Sequence, residues 1–90
     1  VQLHDDIHNY YEKIVIEEII KRQLDKQYND DVMADFCCIV LNQLPPRYIR
    51  FDVDMAFYLP QQEREHMEEK VNTAIDVAIS QIAKKQVINE

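Results

Sequence analysis

No glycine occurs anywhere in this chain, and its three prolines, Pro45, Pro46 and Pro60, fall within one region. Glycine supplies the left-handed conformations that tight turns and phosphate-cradling loops need, so its absence removes most of both. What remains is a chain of helices with few breaks. The segment from Asp31 to Leu44 states this most clearly. At about 100° per residue, Asp31, Asp35, Cys38 and Asn42 share one narrow polar stripe. Val32, Met33, Phe36, Cys37, Ile39, Val40, Leu41 and Leu44 take nearly all the remaining circumference. A helix apolar over most of its surface has to be surrounded. This segment is therefore expected to be the core helix and the most buried one, with Asn29 or Asp30 as its cap. Pro45 disfavours helical geometry at Leu44, and Pro46 extends the constraint, so the chain leaves in an extended direction.

Two further helices flank it. Val1 to His4 reads as a frayed end. From Asp5 or Asp6 to about Lys26, Ile7, Tyr10, Tyr11, Ile14, Val15, Ile19 and Leu24 recur at threes and fours. Glu12, Lys13, Glu17, Lys21 and Arg22 fill the other side, with Glu17 and Lys21 spaced as an i,i+4 pair. Pro60 suits the first turn of a last helix running to about Lys85. Its apolar face is Met67, Val71, Ala74, Ile75, Ala78, Ile79 and Ile82, while Gln61 to Lys70 is charged and expected to be mostly solvated. Between these helices the period changes. Ile49, Phe51, Val53, Met55 and Phe57 alternate with Tyr48, Arg50, Asp52, Asp54 and Tyr58, which is a strand signal. A lone strand has no partner for its backbone, so an extended loop over the helices is favoured over pairing with a second copy. The expected fold is all-α: one three-helix domain over residues 1–90, helices at about 6–26, 31–43 and 60–85, with an extended connector between the second and third.

The net charge of -7 argues against nucleic-acid polymers and anionic membranes as partners, since both require a basic footprint. A small anion is still admissible, because a local pair of arginines dominates within a Debye length of about 8 Å. No run approaches the roughly 18 apolar residues of a membrane span, and no apolar signal region opens the chain, so a cytoplasmic protein is expected. Cys37 and Cys38 point apart on a helix and are read as buried, reduced thiols. His4 and His8 share a helical face at a metal-like spacing. They lack the glutamate and third ligand of a zincin motif and are read as exposed helix-end residues. No nucleophile–base set or phosphate loop is present, and Asp52 with Asp54 makes a carboxylate pair without a pocket, so catalysis is not expected.

From Asp35 the sequence runs through Asn42 into Leu44-Pro45-Pro46-Arg47-Tyr48, with a looser match at Asn9-Tyr-Tyr-Glu-Lys-Ile-Val15 and along the helix after Pro60. This pattern resembles the ComFB late-competence family over most of the chain. The resemblance implies a small, mostly helical, dimer-forming bacterial protein of competence- or motility-type regulation, and a receptor for a cyclic dinucleotide. Many relatives place a zinc-binding cysteine cluster just before the Asp. Here Gln27-Tyr-Asn-Asp-Asp-Val-Met33 stands instead, so no metal or other cofactor is expected.

The residue chemistry fits such a ligand. Arginine grips a phosphate or a guanine edge in bidentate fashion, tyrosine stacks on a base, and aspartate accepts from guanine N–H groups. Arg47, Tyr48, Arg50 and Asp52 or Asp54 supply that set, and Asn42, at the head of the motif, is counted with them. Taken as chemistry alone, a helix stop with surface ion pairs explains these residues better, because such pairs are common and weak. The resemblance moves a cyclic di-GMP receptor acting on a downstream protein to first place. A dimeric adaptor without a nucleotide is the alternative.

Overall fold

The last helix, α5 (Gln61–Ile88), has 28 residues. At 1.5 Å per residue it is about 42 Å long, close to the 47 Å long axis of the molecule. Everything else is laid along it. The computed structural model describes residues 2–88. Before α5 come α1 (Leu3–Asp6), β1 (His8–Asn9), α2 (Tyr10–Lys21), a 3-10 turn (Leu24–Lys26), α3 (Asp30–Asn42), β2 (Tyr48–Ile49) and α4 (Asp52–Tyr58). The fold is mostly helical, as the glycine-free sequence implies.

The core lies where α2 and α3 pack on α5. Phe36, Ile75, Val15, Val40 and Val71 are its largest fully buried side chains, each contributing about 1.5–3 kcal/mol by leaving water. Ala74 and Ala78 are also buried, and their small size lets α3 approach closely. Gln43, just past α3, donates through Nε2 to the Ile39 carbonyl at 3.0 Å and to the Ala74 carbonyl at 3.2 Å. Asn29 caps α3 by accepting from the Val32 N–H at 2.9 Å. Three ion pairs tie the outer faces: Arg22 with Glu18, Arg22 with Asp76, and Lys85 with Asp35. Hydrogen bonding to Asp76 is the main cause that pushes the Arg22 pKa upward, against the opposing effect of burial.

Several expectations need correcting. The polar stripe of α3 is in place, with Asp31, Asp35, Cys38 and Asn42 all exposed. The helix is not the most buried one, however. It buries Phe36 and Val40, whereas α2 buries Tyr10, Tyr11, Ile14, Val15 and Ile19, and α5 buries Met67, Val71, Ala74, Ile75, Ala78 and Ile82. Three long helices in so short a chain cannot enclose one of their own number. Val32, Met33, Cys37, Ile39 and Leu41 are left partly covered.

The first helix is also shorter than its periodicity suggested. Leu3 and His4 belong to α1 rather than to a frayed end, Val1 lies outside the described residues, and Ile7 is extended at the α1 C-cap. At the other end Gln23 takes φ 59°, the left-handed conformation that stops α2. Leu24 still reaches the core. The i,i+4 ion pair on α2 is Glu18 with Arg22, not Glu17 with Lys21.

The connector departs most. It is neither a loop nor a strand throughout. Tyr48 and Ile49 pair antiparallel with Asn9 and His8, so a second strand does exist. Residues 52–58 are helical. Of the five alternating apolar residues, Ile49 and Met55 pack inward, while Phe51, Val53 and Phe57 are exposed. Over seven residues an alternating pattern and a helical one are hard to distinguish, and Asp52 and Asp54 suit the first turn of a helix.

The left-handed Gln23 yields a stability test. A non-glycine residue pays about 1–2 kcal/mol there, and glycine returns part of that gain as chain entropy. Gln23→Gly should therefore raise stability by about 0.5 kcal/mol in urea denaturation, and Gln23→Val should lower it by more than about 1 kcal/mol. The opposite order would show that α2 ends in some other way.

Candidate ligand-binding site

The strap from Pro45 to Phe51 is held to the start of α2 by one residue that carried no site role in the sequence reading. Asn9 Oδ1 accepts from the Tyr11 N–H at 3.2 Å, capping α2, and from the Arg47 N–H at 3.0 Å. The Arg47 carbonyl accepts from the Tyr10 N–H at 2.8 Å. Both backbone groups of Arg47 are thus satisfied by one helix N-terminus. Beyond it, His8 Nε2 stands 2.7 Å from Asp52 Oδ1, fastening β1 to the first turn of α4. An ionised carboxylate only accepts, so the histidine donates. Arg64 of α5 completes the frame, donating to the Tyr10 hydroxyl at 3.4 Å and to the Met55 carbonyl at 3.3 Å.

Within this frame the residues singled out in sequence fall in different places. Arg47 turns toward α5, where Nη1 lies 3.2 Å from Glu63 Oε1. There it lines a cleft of about 210 Å³ with Tyr11, Pro45, Pro46, Glu63 and Lys70 among its neighbours. Tyr48 is 63% exposed. It lines a separate cleft of about 340 Å³ against the N-terminal segment, with Leu3, His4, Ile7, His8 and Glu12. Arg50 is exposed, its guanidinium 5.0 Å from the centre of the Phe51 ring. Asp52 is engaged by His8, and Asp54 stands exposed on α4. Asn42 is exposed at the end of α3 and, among the described residues, makes no side-chain hydrogen bond with the strap. The strap thus brings Arg47 and Tyr48 together in sequence but aims them at different clefts, as alternation along an extended chain requires.

His8, Asn9, Tyr11, Glu63, Arg64 and Lys70 went unrecognised as site-forming residues. The spacing of His4 and His8 predicts one helical face. In the structure His4 lies in α1 beside Asp5, and His8 lies in β1. The stretch from Gln61 to Lys70 is mostly exposed, as its charge suggests, but Glu63, Arg64 and Lys70 are partly buried. Burial is the main cause raising the Tyr11 pKa; Arg47 opposes the shift and Glu63 reinforces it. Tyr11 therefore remains a hydroxyl donor throughout the neutral range.

Clasped by a two-residue antiparallel pair and carrying a Pro-Pro-Arg-Tyr strap, the molecule is a small, mostly helical domain. The family model described as late competence development protein ComFB matches residues 8–86, and the chain belongs to that family. No curated protein and no solved structure matches the chain significantly. No helix among the described residues is long and apolar enough to cross a membrane.

The segment where relatives carry zinc-binding thiolates does not fit that metal here. The Asn29 side chain caps α3, Asp30 and Asp31 occupy its exposed first turn, and Tyr28 packs its ring 5.9 Å from that of Phe36. These are oxygen groups already used by the fold or by solvent. Among the described residues no cluster of three or more histidine, cysteine or acidic side chains is placed to hold a metal. Cys37 and Cys38 are free; Cys37 is partly buried, and Cys38, expected to be buried, is exposed on the polar stripe.

Two outcomes follow from this geometry. Asn9→Ala removes a helix cap and the acceptor for Arg47 together, and should cost about 1–2 kcal/mol in chemical denaturation. Asn9→Asp, which keeps the oxygen, should stay near wild type; equal loss in both would mean the two bonds do not hold the strap. For the thiols, burial first and Cys38 second raise the Cys37 pKa. Because the thiolate is the nucleophile, iodoacetamide at mildly alkaline pH should label Cys38 well before Cys37. Peptide mass spectrometry resolves the two sites, and equal rates would contradict the placement.

Proposed function

We propose that this protein is a non-catalytic bacterial receptor for a cyclic dinucleotide, cyclic di-GMP in first place, acting as a homodimer in the cytoplasm and signalling to a downstream protein in competence- or motility-type regulation. The observation that carries this reading is the fixed strap. Asn9 and β1 hold Arg47 to Ile49 in place before any ligand arrives, while Arg47, Tyr48 and Arg50 keep their side chains exposed. Holding the binding groups beforehand reduces the ordering cost of association. Family membership supports the regulatory role in general terms.

The separation of Arg47 from Tyr48 bears on how such a ligand would be held. A two-fold ligand on a two-fold dimer can take Arg47 from one copy and Tyr48 from the other, so one chain need not converge all its groups on one cleft. Exposed Phe51 and Val53, with Phe57 at 79% and Tyr58 at 81%, give an apolar surface beside the strap that suits a protein partner. Asp54 remains available for a guanine edge, and Asp52 becomes available once His8 releases it. Asn42, remote from these bonds, is the weakest member of the set.

Calorimetry with cyclic di-GMP tests the reading, with one ligand expected per two chains. Arg47→Ala and Arg50→Ala should each cost on the order of 1.5–3 kcal/mol of binding, the range for hydrogen bonds to charged groups. No heat with cyclic di-GMP or its adenine counterpart, or affinity untouched by both substitutions, would favour the dimeric adaptor without a nucleotide.

A further inference from the structure

The cleft beside Arg47 has a property that the strap itself does not explain. Its floor includes Tyr11, a residue only 3% exposed. Among the described residues the Tyr11 hydroxyl has no hydrogen-bond partner, yet it is not a buried unsatisfied atom. Its oxygen therefore reaches the solvent of the cleft. A nearly enclosed phenol whose one polar atom opens into a cavity is a donor awaiting an acceptor.

Lys70 lines the same cleft, partly buried and without a salt bridge among the described residues. Glu63, Met67 and Lys70 succeed one another at fours and threes, so α5 presents them on the face that the strap covers. Arg47 closes the opposite side. Two cations, His66 and a tyrosine thus line about 210 Å³ together with Pro45 and Pro46. That volume is below the roughly 300–1,000 Å³ of sites that enclose a whole ligand, so it suits one group of a larger molecule. Among the described residues Glu63 is the only carboxylate lining it, and it sits on Arg47 at 3.2 Å.

We infer that this cleft is a phosphate subsite, formed by Arg47, Lys70 and Tyr11, and that Glu63 is a built-in competitor that occupies Arg47 until a phosphate displaces it. The inference deepens the receptor reading and rests on it for the source of the anion, a phosphodiester of the cyclic dinucleotide. Free phosphate shares the same chemistry. Tyr11 and Lys70 bind; Glu63 sets the threshold. With Glu63 in place, the anion must exchange one charge-assisted contact for another, which lowers affinity without altering the fold.

The test is calorimetry on the full chain with two probes, cyclic di-GMP and inorganic phosphate, using wild type, Glu63→Gln, Lys70→Ala, Lys70→Arg, Tyr11→Phe and Arg47→Ala, with circular dichroism confirming the fold of each. For cyclic di-GMP, Glu63→Gln should tighten binding about two- to fivefold, the worth of a half-exposed ion pair. Lys70→Ala should weaken it about tenfold and Tyr11→Phe about threefold, with Lys70→Arg restoring most of the loss. Phosphate binding that depends on Lys70 and Glu63, without cyclic di-GMP binding, would uphold the subsite for a free anion and overturn the receptor reading. Cyclic di-GMP binding that is lost in Arg47→Ala but unchanged in Lys70→Ala and Glu63→Gln would overturn the subsite and leave the receptor reading intact. Neither probe binding to wild type or to Glu63→Gln would overturn both.

Discussion

The oxygen of Asn9 accepts two backbone N–H groups, and most of what is distinctive here depends on that. One bond starts α2 and the other fixes Arg47, so the helix that supplies Tyr10, Tyr11, Ile14 and Val15 to the core is registered against the strap. A chain without glycine has few ways to bring a post-helical segment back across a bundle. Here the return is made by the Pro45-Pro46 exit from α3, which extends the backbone, and by the Asn9 amide, which receives it. The short β1–β2 pair follows from this arrangement. Two residues of ladder are too few to order a segment alone, but they continue a register that the side chain has already set.

The sequence disclosed what depends on helical periodicity and lost what depends on long-range pairing. The buried faces of α2 and α5, the Asn29 cap and the polar stripe of α3 could all be read from spacing, because each is a local consequence of 3.6 residues per turn. The helical state of residues 52–58 could not, since seven residues carry either period and the arbiter is Arg64, which donates to the Met55 carbonyl from another helix. The degree of burial of α3 was misjudged for a related reason. An apolar circumference states what a helix could bury, while the number of neighbours decides what it does bury. At Gln23 the missing glycine was itself misleading, for a left-handed stop was still needed and an ordinary residue adopted it.

The site was legible to the same extent. The strap announced itself through two prolines and the arginines beside them. Its partners did not, because Asn9 looks like any helix cap, Glu63 and Lys70 lie in what reads as a solvated run, and Tyr11 reads as core. A weak signal was available: Glu63, Met67 and Lys70 place two opposite charges around a buried methionine on one face, an arrangement expected where a charged face is partly covered. Arg47 and Tyr48, adjacent in sequence, face different clefts, since consecutive residues of an extended strap face opposite ways.

The relative size of the forces decides how an acidic protein could hold an anion in the proposed subsite. The net charge of -7 is spread over the whole surface, and exposed charges beyond about 8 Å are largely screened. Among the described residues Glu63 is the one carboxylate lining the cleft, against Arg47 and Lys70, with His66 beside them. Holding an otherwise free long side chain costs roughly 0.5–1.5 kcal/mol at an interface; the strap fixes the Arg47 backbone, and the Glu63 contact already holds its side chain. The Glu63 contact, half-exposed, is worth about 0–1 kcal/mol. The two effects are of similar size: in the subsite we propose, the strap would fix where an anion sits and the Glu63 ion pair would adjust how readily it is taken.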